Sequence, residues 1–395
     1  MQDLRLGVIG LGNMGQVHAD SIASGKIWRC RLAAVCDPDP EIMRRYQNAK
    51  AFPSSSELIQ SGEADGVLVA TPHFSHTAIG IEALRAGLHL LVEKPLSVHK
   101  ADCERLIAAH RSTKQIFATM LNQRTDPFYI KLRELISNGE LGTIRRINWI
   151  ITNWFRTEAY YASGGWRATW SGEGGGVLLN QCPHQLDLWQ WLFGMPLKVR
   201  AFCNLGRYHD IEVEDDVTAY FEYENGSTGV FITSTGESPG TDRLEVTAEL
   251  GRVVIENDRF HFTRNQVPMS TFCKESPERF NQPSTRNVEF PLRGHGGQHN
   301  EVLQNFVDAI LQGKPLIAPA AEGIHSVELA NAMLLSSFSG ATLQLPIDAR
   351  SYEDFLRQRI AASTISKKVA ALPPSKPDDF TKSFSRQSRT PSHEG

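Results

Sequence analysis

The feature that most constrains the fold is a glycine motif set between a predicted strand and a predicted helix. The apolar run Arg5–Ile9 predicts a strand, Gly10-Leu11-Gly12-Asn13-Met14-Gly15 follows it, and Met14–Ser24 predicts a helix. The first glycine permits a tight turn, the second lets the backbone approach a ligand, and the third permits close packing of helix on strand. Backbone N–H groups at the helix start would bind phosphates, so the motif predicts a dinucleotide-binding turn.

The rest of the first 120 residues alternates apolar runs with helical patterns. Apolar strands separated by helices of this length predict a parallel sheet covered on both faces. Right-handed crossovers would give a Rossmann-type, doubly wound domain over residues 1–121. The further predicted strands are Leu32–Cys36, Gly66–Ala70, His89–Val92 and Gln115–Thr119, and the helices between them are Pro40–Tyr46, His76–Ala86 and Lys100–His110.

Polar residues follow two of these strands at the edge where open parallel sheets bind ligands. Asp37 follows the second strand, where a carboxylate accepts hydrogen bonds from the adenosine ribose and repels a 2′-phosphate. This favours NAD over NADP as the cofactor. Thr71 and Pro72 come directly after a strand and just before His76. We interpret His76 either as a neighbour of the nicotinamide ribose or as a solvent-facing residue at a helix start.

After Leu121 strands follow one another with few helices between them, which predicts a largely antiparallel, open sheet. Asn225-Gly226 predicts a hairpin turn between two of the strands. We expect this second α/β domain to span residues 122–350, with helices on one face and a second subunit on the other, in a homodimer or homotetramer. Its predicted strands are Ile144–Trp154, Val217–Tyr223, Thr228–Ser234, Leu244–Ala248 and Arg252–Glu256, and its predicted helices are Pro127–Asn138, Gly176–Leu192, His299–Leu311 and Ala321–Ser337.

Composition excludes several classes of protein. The formal charge of −3 argues against nucleic-acid binding, and the sequence has no apolar run long enough to span a membrane. The six cysteines form no CxxC pair, which predicts reduced thiols in a cytoplasmic protein. A polar tail rich in Pro, Ser and Lys, at residues 364–395, predicts disorder. Two histidines in the loop Gly294–His299 lack supporting acid or cysteine spacing, so we expect no metal.

Taken in order, the motifs resemble the Gfo/Idh/MocA oxidoreductase family over roughly residues 4–348. The resemblance implies a Rossmann domain, an α/β domain with an open sheet, and an active site between them. It also implies activity on sugars, cyclitols and their derivatives. Besides the glycine motif and Thr71-Pro72, it rests on Glu93-Lys94-Pro95, Asn122-Gln123-Arg124, Gly139-Glu140-Leu141-Gly142, Gly165-Trp166-Arg167 and the segment from Gly174-Gly175-Gly176 to His184-Gln185-Leu186-Asp187.

The resemblance assigns two catalytic residues, Lys94 and His184. It implies that Lys94 touches the nicotinamide ribose and the substrate hydroxyl, that Glu93 lies beside it at the cofactor, and that a cis proline follows. Many relatives carry Asp where this chain has Asn180, which can orient a hydroxyl but cannot accept a proton. We expect Asn180 and His184 to share one helical face. The alternatives are a surface Lys94 and a structural His184.

A segment around residues 153–161 combines aromatic side chains with an arginine. Aromatic faces stack on the C–H faces of sugar rings, and a guanidinium offers a planar hydrogen-bonding fork. Each of these residues could instead belong to the core or scaffold, as we expect for Trp189 and Trp191. The substrate-binding candidates are Asn122, Arg124, Trp154, Arg156, Tyr160, Trp166, Arg167, Asn180 and His184.

These observations favour an NAD-dependent dehydrogenase that transfers hydride to or from a hydroxyl carbon of a sugar, glycoside or cyclitol. A second hypothesis is a redox-neutral glycosidase or lyase that uses NAD transiently and acts through a 3-keto sugar. A third is a dinucleotide-binding protein without turnover, which the presence of both Lys94 and His184 disfavours.

Overall fold

A computed structural model describes residues 3–365 of the chain, so residues 366–395 of the predicted tail at 364–395 lie outside the described residues. Two sheets organise this part. The first has six strands and the second has nine. The expected fold class, a doubly wound parallel sheet followed by an open, largely antiparallel one, is confirmed.

The first sheet is parallel and has the strand order β3-β2-β1-β4-β5-β6. Its order reverses between β1 and β4, which places a ligand-binding crevice at the carboxyl ends of these strands. The central strands are apolar along their length because helices cover both faces. The elements are β1 (Leu4–Ile9), α1 (Asn13–Ala23), β2 (Cys30–Cys36), α2 (Pro40–Met43), β3 (Lys50–Phe52), α3 (Ser55–Gln60), β4 (Gly66–Val69), α4 (His73–Arg85), β5 (His89–Val92), α5 (Lys100–Ala109) and β6 (Phe117–Thr119).

The second sheet has the order β14-β13-β12-β11-β7-β10-β9-β8-β15. Adjacent strands in this sheet are antiparallel except β7 and β10, which pair in parallel. The elements are α6 (Pro127–Ser137), β7 (Ile144–Ile151), α7 (Glu158–Ala162), α8 (Pro183–Phe193), β8 (Lys198–Leu205), β9 (Glu214–Glu222), β10 (Thr228–Ser234), β11 (Asp242–Ala248), β12 (Gly251–Glu256), β13 (Arg259–Asn265), α9 (Met269–Glu275), β14 (Thr285–Val288), α10 (Gln298–Gln312), α11 (Gly323–Ser339), β15 (Leu343–Gln344) and α12 (Ala349–Ala362).

The two faces of the second sheet differ in burial. One face packs under α8 and α11, where Trp149, Trp189 and Phe231 form part of one apolar core. On the opposite face Phe202 is 58 % exposed and Tyr220 is 41 % exposed. Strand alternation therefore directs one set of side chains into the core and the other toward solvent.

The predicted helix Gly176–Leu192 is wrong at its start, because α8 begins at Pro183. Proline lacks the N–H that a helix interior needs, and it fits the first helical position. Before it the chain forms a separate turn, in which Gly176 N and Leu178 N donate to Oε1 of Glu214. Asn180 lies in this turn, so the expected helical face shared by Asn180 and His184 does not exist.

The boundaries 1–121 and 122–350 stay a prediction. Helix α10 comes from the second range, yet its apolar residues pack in the same core as those of β1. Val302 and Phe306 belong to this cluster together with Leu6 and Val8. The chain thus returns to the first sheet after building most of the second.

Candidate active site

The glycine motif forms the turn between β1 and α1 that the sequence predicts. Gly10 has φ +89°, and a Cβ on Gly15 would lie 1.8 Å from the carbonyl oxygen of Gly10, so both turn and packing require glycine. Around Gly12 the space is open, since no atom of a residue more distant along the described chain lies within 4 Å of an ideal Cβ there. Asn13 and Met14 begin the helix with no acidic residue in its first turn. This cradle fits the phosphates of a dinucleotide.

Asp37 lies beside this turn, directly after β2. Its Oδ2 accepts a hydrogen bond from Leu11 N at 2.7 Å, and its Oδ1 accepts one from Asp39 N at 2.9 Å. The carboxylate therefore helps to shape the glycine turn. Because a carboxylate can accept about four hydrogen bonds, it retains capacity for ribose hydroxyl groups.

His76 is held by backbone carbonyl groups, and its expected place next to the nicotinamide ribose stays a prediction. Its ring is fully buried, with Nε2 2.8 Å from the Thr71 carbonyl oxygen and Nδ1 2.9 Å from that of Pro95. Burial lowers its pKa. The solvent-facing alternative is wrong, because the ring is buried, and we interpret His76 as a support that joins the segment Thr71-Pro72 to the segment after Lys94. Thr71 itself keeps a buried hydroxyl without a hydrogen-bond partner among residues 3–365.

Lys94 and Glu93 follow β5 at the same edge of the sheet. Lys94 Nζ donates to the backbone carbonyl oxygen of Asn180 at 3.0 Å, which joins the two halves of the molecule. The Lys94–Pro95 peptide is cis, as the resemblance implies. Burial lowers the pKa of Lys94, opposed by Glu93 and Glu173 and assisted by two arginines.

Glu93 is buried at the carboxyl end of β5, and its place at the cofactor stays a prediction. Its Oε1 lies 2.6 Å from His18 Nε2, and its Oε2 accepts from Lys94 N at 3.0 Å. Burial acts to raise its pKa, but the hydrogen bond and charge of His18 outweigh it and lower the value to about 2. An ionised Glu93 therefore orients the Lys94 backbone and stabilises the ammonium.

His184 is the second residue of α8 and is 5 % exposed. Burial places its pKa well below the ordinary value, and the nearby charges of Lys94 and His299 lower it further. Its Nδ1 has no hydrogen-bond partner within the described part of the chain. The structure thus brings a neutral imidazole close to the Lys94 ammonium.

The sequence analysis missed Glu173, a buried acid whose charge acts on Lys94. Glu173 is 2 % exposed, and its Oε2 accepts from Ala168 N at 2.6 Å. Its Oε1 accepts from Asn180 Nδ2, and burial raises its pKa. The amide of Asn180 therefore binds a carboxylate, and the carbonyl of the same residue binds Lys94. The position of Glu173 just before three glycines is the only signal that the sequence offered.

Five substrate-binding candidates form one wall beside Asn180. Two guanidinium groups lie close to the Tyr160 ring, with Cζ of Arg156 at 5.0 Å and Cζ of Arg167 at 4.7 Å from its centroid. The Tyr160 hydroxyl accepts from Arg167 Nη1 at 3.0 Å and from Asn180 Nδ2 at 3.3 Å. The ring centroid of Trp154 lies 5.7 Å from Cζ of Arg156, and that of Trp166 lies 4.7 Å from Cζ of Arg167. All five side chains are half-buried, which suits a binding surface.

Arg124 is not part of this wall, contrary to expectation. Its side chain is fully buried and binds Asp187 through two hydrogen bonds of 2.8 and 2.6 Å, with a further ion pair to Glu322. A guanidinium engaged on both sides by carboxylates has a structural role. Asn122 begins a short 3₁₀ turn and donates to Gln298 Oε1 at 2.6 Å, while its own Oδ1 is buried without a partner among residues 3–365.

The Gly/His loop leads into α10 beside the site. His295 lies 3.3 Å from Asp126, and the rings of His299 and His18 are 5.7 Å apart. Within residues 3–365 no group of three His, Cys, Asp or Glu side chains could hold a metal ion. In the same part of the chain no helix has both the length and the apolar character needed to cross a membrane.

Relatives of known name match most of the chain. It is 27 % identical to myo-inositol 2-dehydrogenase of Thermotoga maritima, over 81 % of this chain and 91 % of the relative. It is 24 % identical to inositol 2-dehydrogenase of Corynebacterium glutamicum strain R, over 90 % of this chain and 99 % of the relative. Among solved structures, the WlbA dehydrogenase of Bordetella pertussis, in complex with NADH and UDP-GlcNAcA, has a TM-score of 0.74 at 24 % identity and covers 88 % of this chain and 100 % of its own.

Two family models match consecutive parts of the chain. The oxidoreductase family with an NAD-binding Rossmann fold matches residues 4–120. The GFO/IDH/MocA C-terminal domain matches residues 129–254. The matches agree with the order of the two sheets and with the glycine cradle. The chain therefore belongs to the Gfo/Idh/MocA family of NAD-binding oxidoreductases.

Proposed function

We propose that this protein catalyses reversible hydride transfer between NAD and a hydroxyl-bearing carbon of a sugar, glycoside or cyclitol. The observation that carries the proposal is the meeting of Lys94, from the edge of the first sheet, with Asn180 and His184 from the second half. NAD bound in the crevice supplies the hydride acceptor. The inositol 2-dehydrogenases among the relatives support a polyol substrate.

The protein must also remove the hydroxyl proton during oxidation. A neutral His184 can accept it, because burial and the Lys94 charge oppose protonation of the free site. Lys94 would hold the substrate oxygen by donating a hydrogen bond. Since burial also lowers the pKa of Lys94, the two residues could exchange these roles. Asn180 would position Lys94 through its carbonyl oxygen and would accept no proton.

Replacing His184 tests this assignment. We expect His184→Ala to lower kcat by about 10²-fold or more, the usual range for a general acid–base group. The dissociation constant for NADH, measured by fluorescence, should change little. His261→Ala removes an exposed histidine from β13 and serves as the matched control. Unchanged turnover in His184→Ala would remove His184 from the mechanism.

A substrate panel separates the two enzymatic hypotheses. Polyols, free sugars and glycosides would be incubated with NAD, and both NADH absorbance and products would be followed. Net NADH with an oxidised sugar supports the dehydrogenase. Cleavage of a glycoside without net NADH would instead identify the redox-neutral reaction through a 3-keto sugar.

The open face of the second sheet supports a homodimer or homotetramer. Phe202 and Tyr220 lie exposed on neighbouring strands β8 and β9 of that face. Large exposed aromatic side chains on one sheet face are typical of subunit interfaces. Light scattering should give a multiple of the monomer mass, and Phe202→Glu should lower it. Trp28→Glu, an equally drastic change at an exposed site near the first sheet, is the control. A wild-type protein of monomer mass would refute this part of the proposal.

The location is the final part of the proposal. Cys30, Cys36, Cys103 and Cys182 are buried free thiols. Burial raises the pKa of Cys30 and of Cys182 to about 12, which keeps both in the unreactive thiol form. Free buried thiols agree with a reducing compartment, so we propose that the enzyme works in the cytoplasm.

A further inference from the structure

Three partly accessible cations lie within and beside the reacting pair. Lys94 lies at the junction of the two halves, and Arg156 and Arg167 flank Tyr160 on the adjoining wall. Both arginines are close enough for their charges to act on the Lys94 ammonium. All three side chains are half-buried. Their positive charges therefore meet at one accessible surface.

The acids nearest to these cations are buried or already hold a hydrogen bond. Glu93 and Glu173 are almost fully buried and are engaged by His18, by Asn180 and by backbone N–H groups. Burial raises the pKa of Glu173, while the charges of Arg167 and Lys94 and the hydrogen bonds from Ala168 N and Asn180 act to lower it. Glu158 is exposed at the start of α7, where it accepts a hydrogen bond from Asp210 N. The side of the wall that adjoins Lys94 is thus dominated by cations.

We propose that the substrate carries an anionic group, a carboxylate or a phosphate, which Arg156 and Arg167 bind while Lys94 and His184 act on a hydroxyl. The inference rests on the proposed hydride transfer and adds the chemical class of its substrate. A guanidinium fork matches both anions in geometry, and its charge persists at any physiological pH. The aromatic faces of Trp154 and Tyr160 lie beside the arginines, in reach of a sugar ring that bears the anion.

Matched substrate triples test the inference. Each triple contains a methyl hexopyranoside, the methyl glycoside of the matching uronic acid with its carboxylate free, and the 6-phosphate of the first compound. The triples cover the gluco, galacto and N-acetylglucosamine series. We expect kcat/KM with NAD to be at least about tenfold higher for one anionic member than for the neutral one, as a charged hydrogen bond allows. A preference for the uronide identifies a carboxylate, and a preference for the 6-phosphate identifies a phosphate. Equal or better turnover of the neutral member refutes the inference and leaves the proposed function standing.

Binding to the NADH-loaded enzyme gives a second readout that needs no turnover. Calorimetric titration should show tighter binding of an anionic member, weakened by added salt because the site is partly exposed. If no member of any triple forms NADH yet an anionic member binds in this way, hydride transfer on these glycosides fails, whereas the anion site itself stands. If no anionic member binds more tightly than its neutral partner, the inference fails.

Variants locate the anion site. Arg156→Gln and Arg167→Gln should each lower the preference for the anionic member by roughly tenfold to a hundredfold, mainly through KM. Arg357→Gln removes an equal charge from the exposed surface of α12 and should leave the preference unchanged. An equal loss for neutral and anionic members in both cleft variants would show that the arginines only support the wall. A rise in the KM for NAD alone would assign them to the cofactor.

Discussion

Glu214 makes the stability of this protein dependent on pH in a way that can be worked out from the structure. The residue begins β9 and has no exposed surface, and its Oε1 holds Gly176 N and Leu178 N. Its Oε2 is buried without a hydrogen-bond partner in the described part of the chain. Burial raises the pKa of Glu214 from 4.5 to about 7, although hydrogen bonds from backbone N–H groups oppose the change.

The sign follows from proton linkage. Between these two pKa values the folded state holds a proton that the unfolded state has lost, so the free energy of unfolding falls as pH rises through this window. A pKa shift from 4.5 to about 7 can change the free energy of unfolding by at most roughly 3 kcal/mol. Integrated over the window from about pH 5 to pH 8, the loss is about 2 to 3 kcal/mol.

Glu214→Gln isolates this effect. The amide oxygen can keep both backbone hydrogen bonds, while the side chain no longer ionises. Any constant cost of burying the amide N–H groups shifts the free energy of unfolding equally at every pH. The difference between variant and wild type should therefore change in favour of the variant by about 2 to 3 kcal/mol from about pH 5 to pH 8.

Urea unfolding, followed by tryptophan fluorescence at several pH values, measures this difference. Glu224→Gln changes an exposed residue in the turn after β9 and should follow the wild-type pH dependence. Parallel curves for wild type and Glu214→Gln would refute the reasoning, because Glu214 would then titrate alike in the folded and unfolded states.

Two further predictions concern the cradle and the buried ion pair. Gly15→Ala should lower Tm, because its Cβ would lie 1.8 Å from a carbonyl oxygen, whereas Gly12→Ala should leave Tm unchanged and weaken NADH binding measured by fluorescence. Equal Tm values for the two variants would contradict this account of the turn. Arg124→Met should cost about 3 to 5 kcal/mol in urea unfolding, because Asp187 would remain buried without its partner. A second change, Asp187→Asn, should recover part of that loss, and additive losses would count against a coupled pair.

Features that depend on local sequence could be predicted well. The turn at Gly10–Gly15 and the strand that leads into Lys94 were predicted because glycine placement and apolar runs act over a few residues. Short edge strands were missed, since β3, β14 and β15 have only two to four residues and little burial. The start of α8 was also missed, because a glycine-rich turn held by the distant Glu214 resembles a helix in its apolar spacing.

Site residues were harder to predict because their partners are distant in the sequence. Arg124 was predicted to bind substrate, but its guanidinium forms ion pairs with Asp187 and Glu322. The burial of the His76 ring between two backbone carbonyl groups could not be predicted either, because it depends on the fold of the segment after Lys94. Glu173 was not predicted at all, because its burial beside Lys94 and Asn180 depends on residues distant in the sequence. Residue type predicts chemistry, but competition among partners decides which groups are left for a ligand.

The return of α10 to the first sheet has a consequence for how the protein is made. Val302, Leu303, Phe306 and Val307 complete the core around Leu6 and Val8. A nascent chain that has reached residue 121 therefore has every strand of the nucleotide-binding sheet but leaves part of its apolar surface in water. The ribosome must synthesise α10 before that surface can be covered, so the segment translated first reaches its final packing late and has most to gain from a chaperone during synthesis.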